Sequence, residues 1–141
     1  MLESLYQKQL LTLASLVREI PALKAATHRA VVNNPVCGDR VIVTIEIDEN
    51  IIVASAVEAK GCALCEAGAG LWMQMSANRP LSDMSLLHDD LARWLKGNAD
   101  GDKPIGISRD IYAPLTPVRA IKNRHKCVLL AFSTADKFRP L

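Results

Sequence analysis

The sequence lacks a long basic run, and its N-terminal stretch lacks the uninterrupted apolar segment of a signal peptide or a membrane span. Lysine and arginine number 17 against 15 acidic residues, for a formal net charge of +2, and they are scattered along the chain. Because nucleic-acid-binding surfaces cluster their basic residues, we expect no nucleic-acid partner. We also expect a cytoplasmic protein with no membrane partner, because the N-terminal apolar face is interrupted by Glu3, Gln7, Lys8, Gln9, Arg18 and Glu19.

The sequence also lacks internal repeats and low-complexity tracts, and it has only four cysteines. Half of its 141 residues are hydrophobic, which is enough for a substantial core, so we expect one domain over residues 1–141. Disulfides are rare in the cytoplasm. The cysteines are therefore interpreted as metal ligands, reactive thiols or buried apolar residues.

Two stretches rich in β-branched residues predict strands at 40–47 and 51–60, separated by a turn at 48–50. Upstream, apolar residues at helical spacing predict an amphipathic helix over about 2–19, which Pro21 ends. The stretch between this helix and the first strand, with His28 and Asn33-Asn34-Pro35, is interpreted as a connection. We expect the strands to form an antiparallel hairpin with one apolar face made by Val41, Val43, Ile45 and Ile47.

The segments after the hairpin are predicted to be mainly helical. Because helices and strands are segregated rather than alternating, we predict an α+β fold in which a small antiparallel sheet packs against helices. The segments are a helix from Cys62, directly after Gly61, to about Asn78 with Gly68 and Gly70 for close packing, a helix capped by Ser82, Asp83 or Ser85 and ended by Gly97, a loop over 98–104, an irregular stretch over 105–117 and a helix from about Lys126.

Three cysteines lie at turns or at the starts of predicted helices. In Cys37-Gly38-Asp39 the glycine can take the tight turn that points a thiol and a carboxylate at one atom. Cys62 and Cys127 each follow such a boundary, where a helix N-terminus and nearby basic residues favour thiolate. Three thiolates and one carboxylate are the four ligands of a tetrahedral zinc ion or of a [2Fe-2S] cluster. The alternative is that each cysteine is merely buried.

Three motifs follow one another along the chain. They are Asn34-Pro35-Val36-Cys37-Gly38-Asp39-Arg40, then Gly61-Cys62 with its cysteine 25 residues after Cys37, then Arg124-His125-Lys126-Cys127-Val128-Leu129-Leu130-Ala131. Taken in this order, they resemble the U-type iron-sulfur scaffold family, which comprises NifU N-terminal domains, IscU and SufU. The chain is more similar to SufU than to IscU, because 65 residues separate Cys62 from Cys127 and because Arg124 and Lys126 match SufU-like members.

The resemblance implies a fold of the SufE/NifU type, with zinc or a labile [2Fe-2S] cluster bound by Cys37, Asp39, Cys62 and Cys127. It also implies that a pyridoxal-phosphate cysteine desulfurase delivers sulfur, with Cys37 as the acceptor and Arg124 assisting. Downstream cluster-assembly proteins or apo-proteins would receive the product. Such a protein is a sulfur acceptor or scaffold rather than an enzyme, although sulfurtransferase activity stays open.

Four interpretations of the cysteines remain. The first is a zinc-bound sulfur acceptor, the second a transient [2Fe-2S] scaffold on the same residues, and the third a module that zinc only folds. The fourth is a redox dithiol made by Cys62-Ala63-Leu64-Cys65, although helical spacing favours a packed thiol for Cys65. Among other candidates, His125 could serve as a substitute ligand, whereas ordinary structural roles are expected for His28, His88, Trp72 and Trp94.

Overall fold

The computed structural model describes residues 2–18, 22–97 and 108–141, in which helices pack on one face of an antiparallel sheet. No described helix combines the length and the apolarity that crossing a membrane requires. The elements in chain order are α1 (Leu2–Ser15), β1 (His28–Asn34), β2 (Asp39–Asp48), β3 (Ile51–Lys60), α2 (Ala63–Ser76), β4 (Arg79–Pro80), α3 (Leu81–Leu95), 3₁₀ helices at Arg109–Ala120 and Lys122–Arg124, α4 (His125–Leu129), a 3₁₀ helix at Phe132–Asp136 and β5 (Arg139–Pro140).

The predicted hairpin is the centre of the sheet. In the described residues the strand order is β4-β3-β2-β1-β5, with antiparallel pairing at every step. Val41, Val43 and Ile45 are fully buried on the helix-covered face, and Ile47 packs at its edge beyond a register shift at Glu46. The predictions of this hairpin and of an α+β fold with a small antiparallel sheet are confirmed.

The stretch interpreted as a connection around His28 is instead the strand β1, so that interpretation is wrong. All seven of its residues pair with β2, from His28 opposite Ile45 to Asn34 opposite Asp39. Only Val31 and Val32 in this strand are β-branched, so its local propensity is weak. The strand forms because its neighbour in the sheet satisfies its backbone groups, which a local sequence pattern does not show.

The helices α1 and α2 pack together at a close crossing. α1 ends at Ser15, earlier than predicted, followed by a turn to Arg18, and residues 19–21 lie outside the described part. A Cβ atom at Gly70 would overlap the backbone of Leu13 in α1. One at Gly68 would overlap the backbone of Val128 in α4. The prediction that these two glycines permit close packing is confirmed, and Gly68 brings α4 against α2.

Two predictions about the second half of the chain are corrected. Helix α3 begins at Leu81 after Pro80, which has no side-chain cap, so none of the three proposed polar caps is used. The stretch predicted to be irregular is, from Arg109 onward, a 3₁₀ helix that contains Pro114 and Pro117. Its buried residues recur every third position, which matches three residues per turn; they are Tyr112, Leu115 and Val118. The loop predicted at 98–104 lies outside the described residues.

A buried ion-pair network fixes this 3₁₀ helix to α3. The Asp90 side chain is fully buried and accepts hydrogen bonds from Arg109 at 2.6 Å and from the Tyr112 hydroxyl at 2.9 Å. Trp94 packs on Tyr112 with ring centroids 5.4 Å apart, and Trp72 packs on Phe132 at 5.8 Å. Both tryptophans therefore have the packing roles expected of them. The final helix α4 begins one residue before its predicted start.

Candidate metal centre

The candidate site lies where the turn before β2, the end of β3 and helix α4 meet. Asp39 is the first residue of β2, and Arg40 pairs with Lys60 at the end of β3. This register places Asp39 beside Gly61 and Cys62, which is the N-cap residue of α2. The third side is Cys127 in α4, which the contact of Gly68 with Val128 holds near α2.

The turn that carries Cys37 is shaped by Asn34 and Gly38. The Gly38 backbone N–H donates to the Asn34 carbonyl at 2.8 Å, and the Val36 N–H donates to the Asn34 side-chain oxygen at 3.2 Å. Gly38 has a φ of +74°, a left-handed conformation that costs glycine little. Cys37 is exposed in this turn.

Asp39 is a buried carboxylate with one oxygen unpartnered. Its Oδ1 atom accepts a hydrogen bond from the Cys62 backbone N–H at 3.3 Å. Its Oδ2 atom is buried and has no hydrogen-bond partner among the described groups. A buried, unpaired carboxylate oxygen is costly, so its presence points to a cation or donor that completes the site. Gly61 makes the placement possible, because a Cβ there would overlap this carboxylate.

Three candidate ligand atoms converge. One atom each from Cys37, Asp39 and Cys127 lies within 4.8 Å of the other two, and the Cys37 and Cys127 Sγ atoms are 3.8 Å apart. Two sulfurs bound at about 2.3 Å to a tetrahedral zinc ion are themselves about 3.8 Å apart. The sulfur spacing and the orphaned carboxylate oxygen therefore fit a thiolate-rich metal site.

Cys62 does not join this close group, although its backbone contacts Asp39. Cys62 is partly exposed, and its side chain is not engaged in capping α2. The structure thus brings together three of the four predicted ligands, whereas the fourth, Cys62, lies outside the close group. Without a backbone shift, the Cys62 sulfur can change its position only by rotation about its side-chain torsion.

Cys127 and Arg124 form the charged side of the site. Burial raises the pKa of the Cys127 thiol well above its ordinary value, and the neighbouring Asp39 and Cys37 raise it further, whereas Arg124 lowers it. The expectation that a helix N-terminus and nearby basic residues favour thiolate at Cys127 holds for Arg124, but burial at the third position of a five-residue helix outweighs it in the metal-free site. The guanidinium of Arg124 contacts Cys127, and the charges of the three site cysteines raise its pKa.

Cys65 and His125 both lie near the site without joining the close group. Cys65 is fully buried, and burial together with the negative charges of Asp39 and Cys62 raises its pKa to about 12. This environment agrees with a packed thiol. The His125 Nε2 atom lies 3.1 Å from the carbonyl oxygens of Val118 and of Arg119, so that its ring faces the 3₁₀ helix.

The remaining histidines make ordinary contacts, as expected. His28 Nδ1 lies 2.8 Å from the Thr27 hydroxyl, and His88 Nδ1 lies 3.0 Å from an Asp89 carboxylate oxygen. Sequence reasoning missed the roles of Asn34 in shaping the turn and of Gly61 in admitting Asp39. The only signal for these roles is that Asn34 and Gly61 are the first residues of the first two motifs.

The fold and this site define the class of protein. The family model of the NifU-like N-terminal domain matches residues 5–106, which is more than half of the chain, so the chain belongs to that family. The matched range contains Cys37, Asp39 and Cys62, whereas Cys127 lies beyond it. The family resemblance expected from the motifs is confirmed.

Individual relatives support the same placement. The chain is 28% identical over 105 residues to the zinc-dependent sulfurtransferase SufU of Bacillus subtilis (strain 168). The aligned region covers 74% of this chain and 69% of the relative. Its fold matches a NifU-like N-terminal protein from Brucella abortus, with a TM-score of 0.75, 27% identity and coverage of 94% of this chain and 90% of the other. It also matches an iron-sulfur cluster assembly scaffold protein for the SUF system from Fervidobacterium islandicum AW-1, with a TM-score of 0.77, 19% identity and 92% coverage of each chain.

Proposed function

We propose that this chain serves iron-sulfur cluster assembly by accepting sulfur on Cys37 from a pyridoxal-phosphate cysteine desulfurase. Zinc would be held by Cys37, Asp39, Cys62 and Cys127. The observation that carries the proposal is the close group of two thiols and the Asp39 carboxylate, whose buried Oδ2 atom has no hydrogen-bond partner among the described groups. Membership of the NifU-like family and the likeness to a zinc-dependent sulfurtransferase support it.

Exposure selects the acceptor among the cysteines. Cys37 is exposed, Cys62 is partly exposed, and Cys65 and Cys127 are buried. A thiol that receives sulfur from another protein must approach that protein's persulfide, and a buried thiol does not. Cys37 is therefore the acceptor in this proposal, and the more enclosed Asp39, Cys62 and Cys127 are the holding ligands.

The transfer itself needs no external oxidant. A ligand from the desulfurase would first take the place of Cys37 on the metal. The freed Cys37 thiolate then attacks the outer sulfur of the donor persulfide, the donor's S–S bond breaks, and an S–S bond forms on Cys37. The donor cysteine leaves as a thiolate. Arg124, whose positive charge faces Cys127, Cys62 and Cys37, would stabilise the anionic persulfide. Zinc, when bound, would keep the ligating thiols deprotonated and hold the Cys37 turn against α4.

A transient [2Fe-2S] scaffold is the second candidate, and a module folded by zinc is the third. The scaffold is favoured by Asp39, because one oxygen ligand among thiolates should hold a cluster less firmly than a fourth cysteine. In the acceptor and scaffold cases the chain works stoichiometrically with a desulfurase. We therefore propose an accessory sulfur carrier or scaffold rather than an independent enzyme, acting on cluster-assembly proteins or apo-proteins.

Metal and acid-labile sulfide analysis, after purification with and without oxygen, tests the proposal. We expect about one zinc per chain with little sulfide, because four convergent ligands close a tetrahedral shell. Cys62→Ser and Cys127→Ser should lose most of the zinc, whereas the matched control Cys65→Ser should retain it. Full zinc in both ligand variants would contradict the site. Iron and sulfide in equal amounts in the anaerobic protein would favour the scaffold.

A further inference from the structure

An open groove of about 860 Å³ lies beside the candidate metal centre. Its floor is apolar and is formed mainly by Ala92 and Leu95 of α3 and by Leu129 and Leu130 near the end of α4. Pro35 and Val36 of the Cys37 turn form one wall, and 83% of the Val36 surface is exposed. A groove of this size and lining accommodates several side chains of a bound segment.

The rim of this groove is cationic. Lys96, Arg119, Lys122 and Lys126 all line it, and none of its described lining residues is a carboxylate. No described aspartate or glutamate forms an ion pair with any of these four residues. Arg119 is held in place instead by a cation–π contact with the Trp94 ring, 4.6 Å from its centroid, and by a hydrogen bond to the Trp94 carbonyl. His88, which also lines the groove, is already paired with Asp89.

The groove adjoins the site on two sides. Val36 immediately precedes Cys37, and Lys126 immediately precedes Cys127. A segment bound there would contact both chain segments that carry the two clustered thiols. Its own charges must complement four cations that have no ion-pair partner among the described residues, and its centre must be apolar to cover the leucine floor.

We infer that this groove docks an extended acidic segment of a partner protein, with one bulky apolar side chain inserted between α3 and α4. The acidic side chains on either side pair with Lys96, Arg119, Lys122 and Lys126. This inference goes beyond the proposed sulfur chemistry and does not depend on it, because none of the groove contacts requires a metal or a persulfide.

The test uses the whole chain, labelled with ¹⁵N, and the synthetic peptide acetyl-Glu-Asp-Glu-Phe-Glu-Asp-Glu-amide. We expect saturable shifts of the Leu95, Leu129 and Leu130 amides with a dissociation constant that is millimolar or tighter. A peptide with lysine in place of every acidic residue, and one with alanine in place of phenylalanine, should each bind at least about tenfold more weakly. Raising the salt concentration from roughly 50 mM to roughly 500 mM should weaken binding of the acidic peptide to a similar extent.

Variants localise the effect. The double variant Lys96→Glu with Lys122→Glu should bind the acidic peptide about tenfold more weakly, because two attractive contacts become repulsive. The matched control Lys8→Glu with Lys24→Glu changes the net charge equally at exposed lysines outside the groove and should leave the affinity unchanged. Ala92→Phe, which fills the floor without changing charge, should also weaken binding. The binding assay contains no desulfurase, pyridoxal phosphate or cysteine, so its result is independent of the sulfur-acceptor proposal.

Several outcomes would overturn the inference. They are equal binding of the acidic and basic peptides, equal weakening by the groove and control lysine pairs, and absence of shifts up to millimolar peptide. If the double lysine variant does not fold, the wild-type comparison of the three peptides and the Ala92→Phe variant still decide the matter.

Discussion

Replacing Gly61 with alanine is the most informative single perturbation of the site. A Cβ atom there would overlap the Oδ1 and Cγ atoms of Asp39, whereas ordinary contacts begin near 3.4 Å. The carboxylate must therefore retreat by about 1 Å, because the pairing of Arg40 with Lys60 fixes the backbone next to both residues. The retreat breaks the hydrogen bond from the Cys62 N–H and moves a ligand oxygen away from Cys37 and Cys127. Gly61 is not among the residues with positive φ, so the methyl group adds no backbone strain of its own.

The expected effect is a loss of zinc affinity of about 10- to 100-fold, the range for disturbing the support of a metal ligand. The unfolding free energy of the metal-free protein should fall by about 1–3 kcal/mol, because one hydrogen bond to a charged group is lost. Competition with a chromophoric zinc chelator and urea unfolding measure the two quantities. In an Asp39→Ala background the Gly61→Ala change should have almost no further effect on zinc. Wild-type zinc affinity in Gly61→Ala, or an equal loss in both backgrounds, would refute the reasoning.

Three further predictions concern neighbouring groups. Burial raises the pKa of Asp90, but hydrogen bonds from Arg109 and Tyr112 outweigh it and hold the pKa below its usual value, so stability is lost as pH falls through the folded-state pKa. Asp90→Asn should therefore cost about 3 kcal/mol of unfolding free energy at neutral pH and flatten the acid limb of stability against pH. Cys65, whose pKa is raised to about 12, should resist alkylation at pH 8 until the chain is unfolded, and Cys65→Ser should leave zinc content and sulfur transfer unchanged. Asp39→Ala should slow the visible bleaching of an anaerobically reconstituted cluster, and identical decay would count against an oxygen ligand.

Local sequence patterns predict much of the fold. The hairpin is predictable because Val41, Val43 and Ile45 alternate with more polar residues over a long β-branched run. Strand β1 is not, because it holds few β-branched residues and depends on its partner strand for stability. The 3₁₀ helix is not predictable either, because Pro114 and Pro117 favour an irregular backbone in a local pattern. In the structure, the three-residue turns of this helix accommodate both prolines.

The chemistry of the site is predictable from residue types, but its geometry is not. The order and spacing of the motifs are enough to associate Cys37, Asp39, Cys62 and Cys127, because together they resemble those of a known family. Spacing does not reveal that Cys62 stands outside the close group or that one Asp39 oxygen is unpartnered. These facts depend on strand register and on burial by distant segments. The cationic groove has the same origin, because it is assembled from α3, α4 and the Cys37 turn.

The measurement that tests the central claim most directly is the site of sulfur addition. The protein is incubated with a cysteine desulfurase, pyridoxal phosphate and cysteine, and peptides are then analysed by mass spectrometry without reduction. We predict that the peptide containing Cys37 gains the mass of one sulfur atom, because Cys37 is the exposed thiol of the group. Cys37→Ala should abolish the gain while Cys65→Ser preserves it. Addition at Cys62, Cys65 or Cys127, or a coloured [2Fe-2S] species with no persulfide when iron is present, would contradict the sulfur-acceptor account.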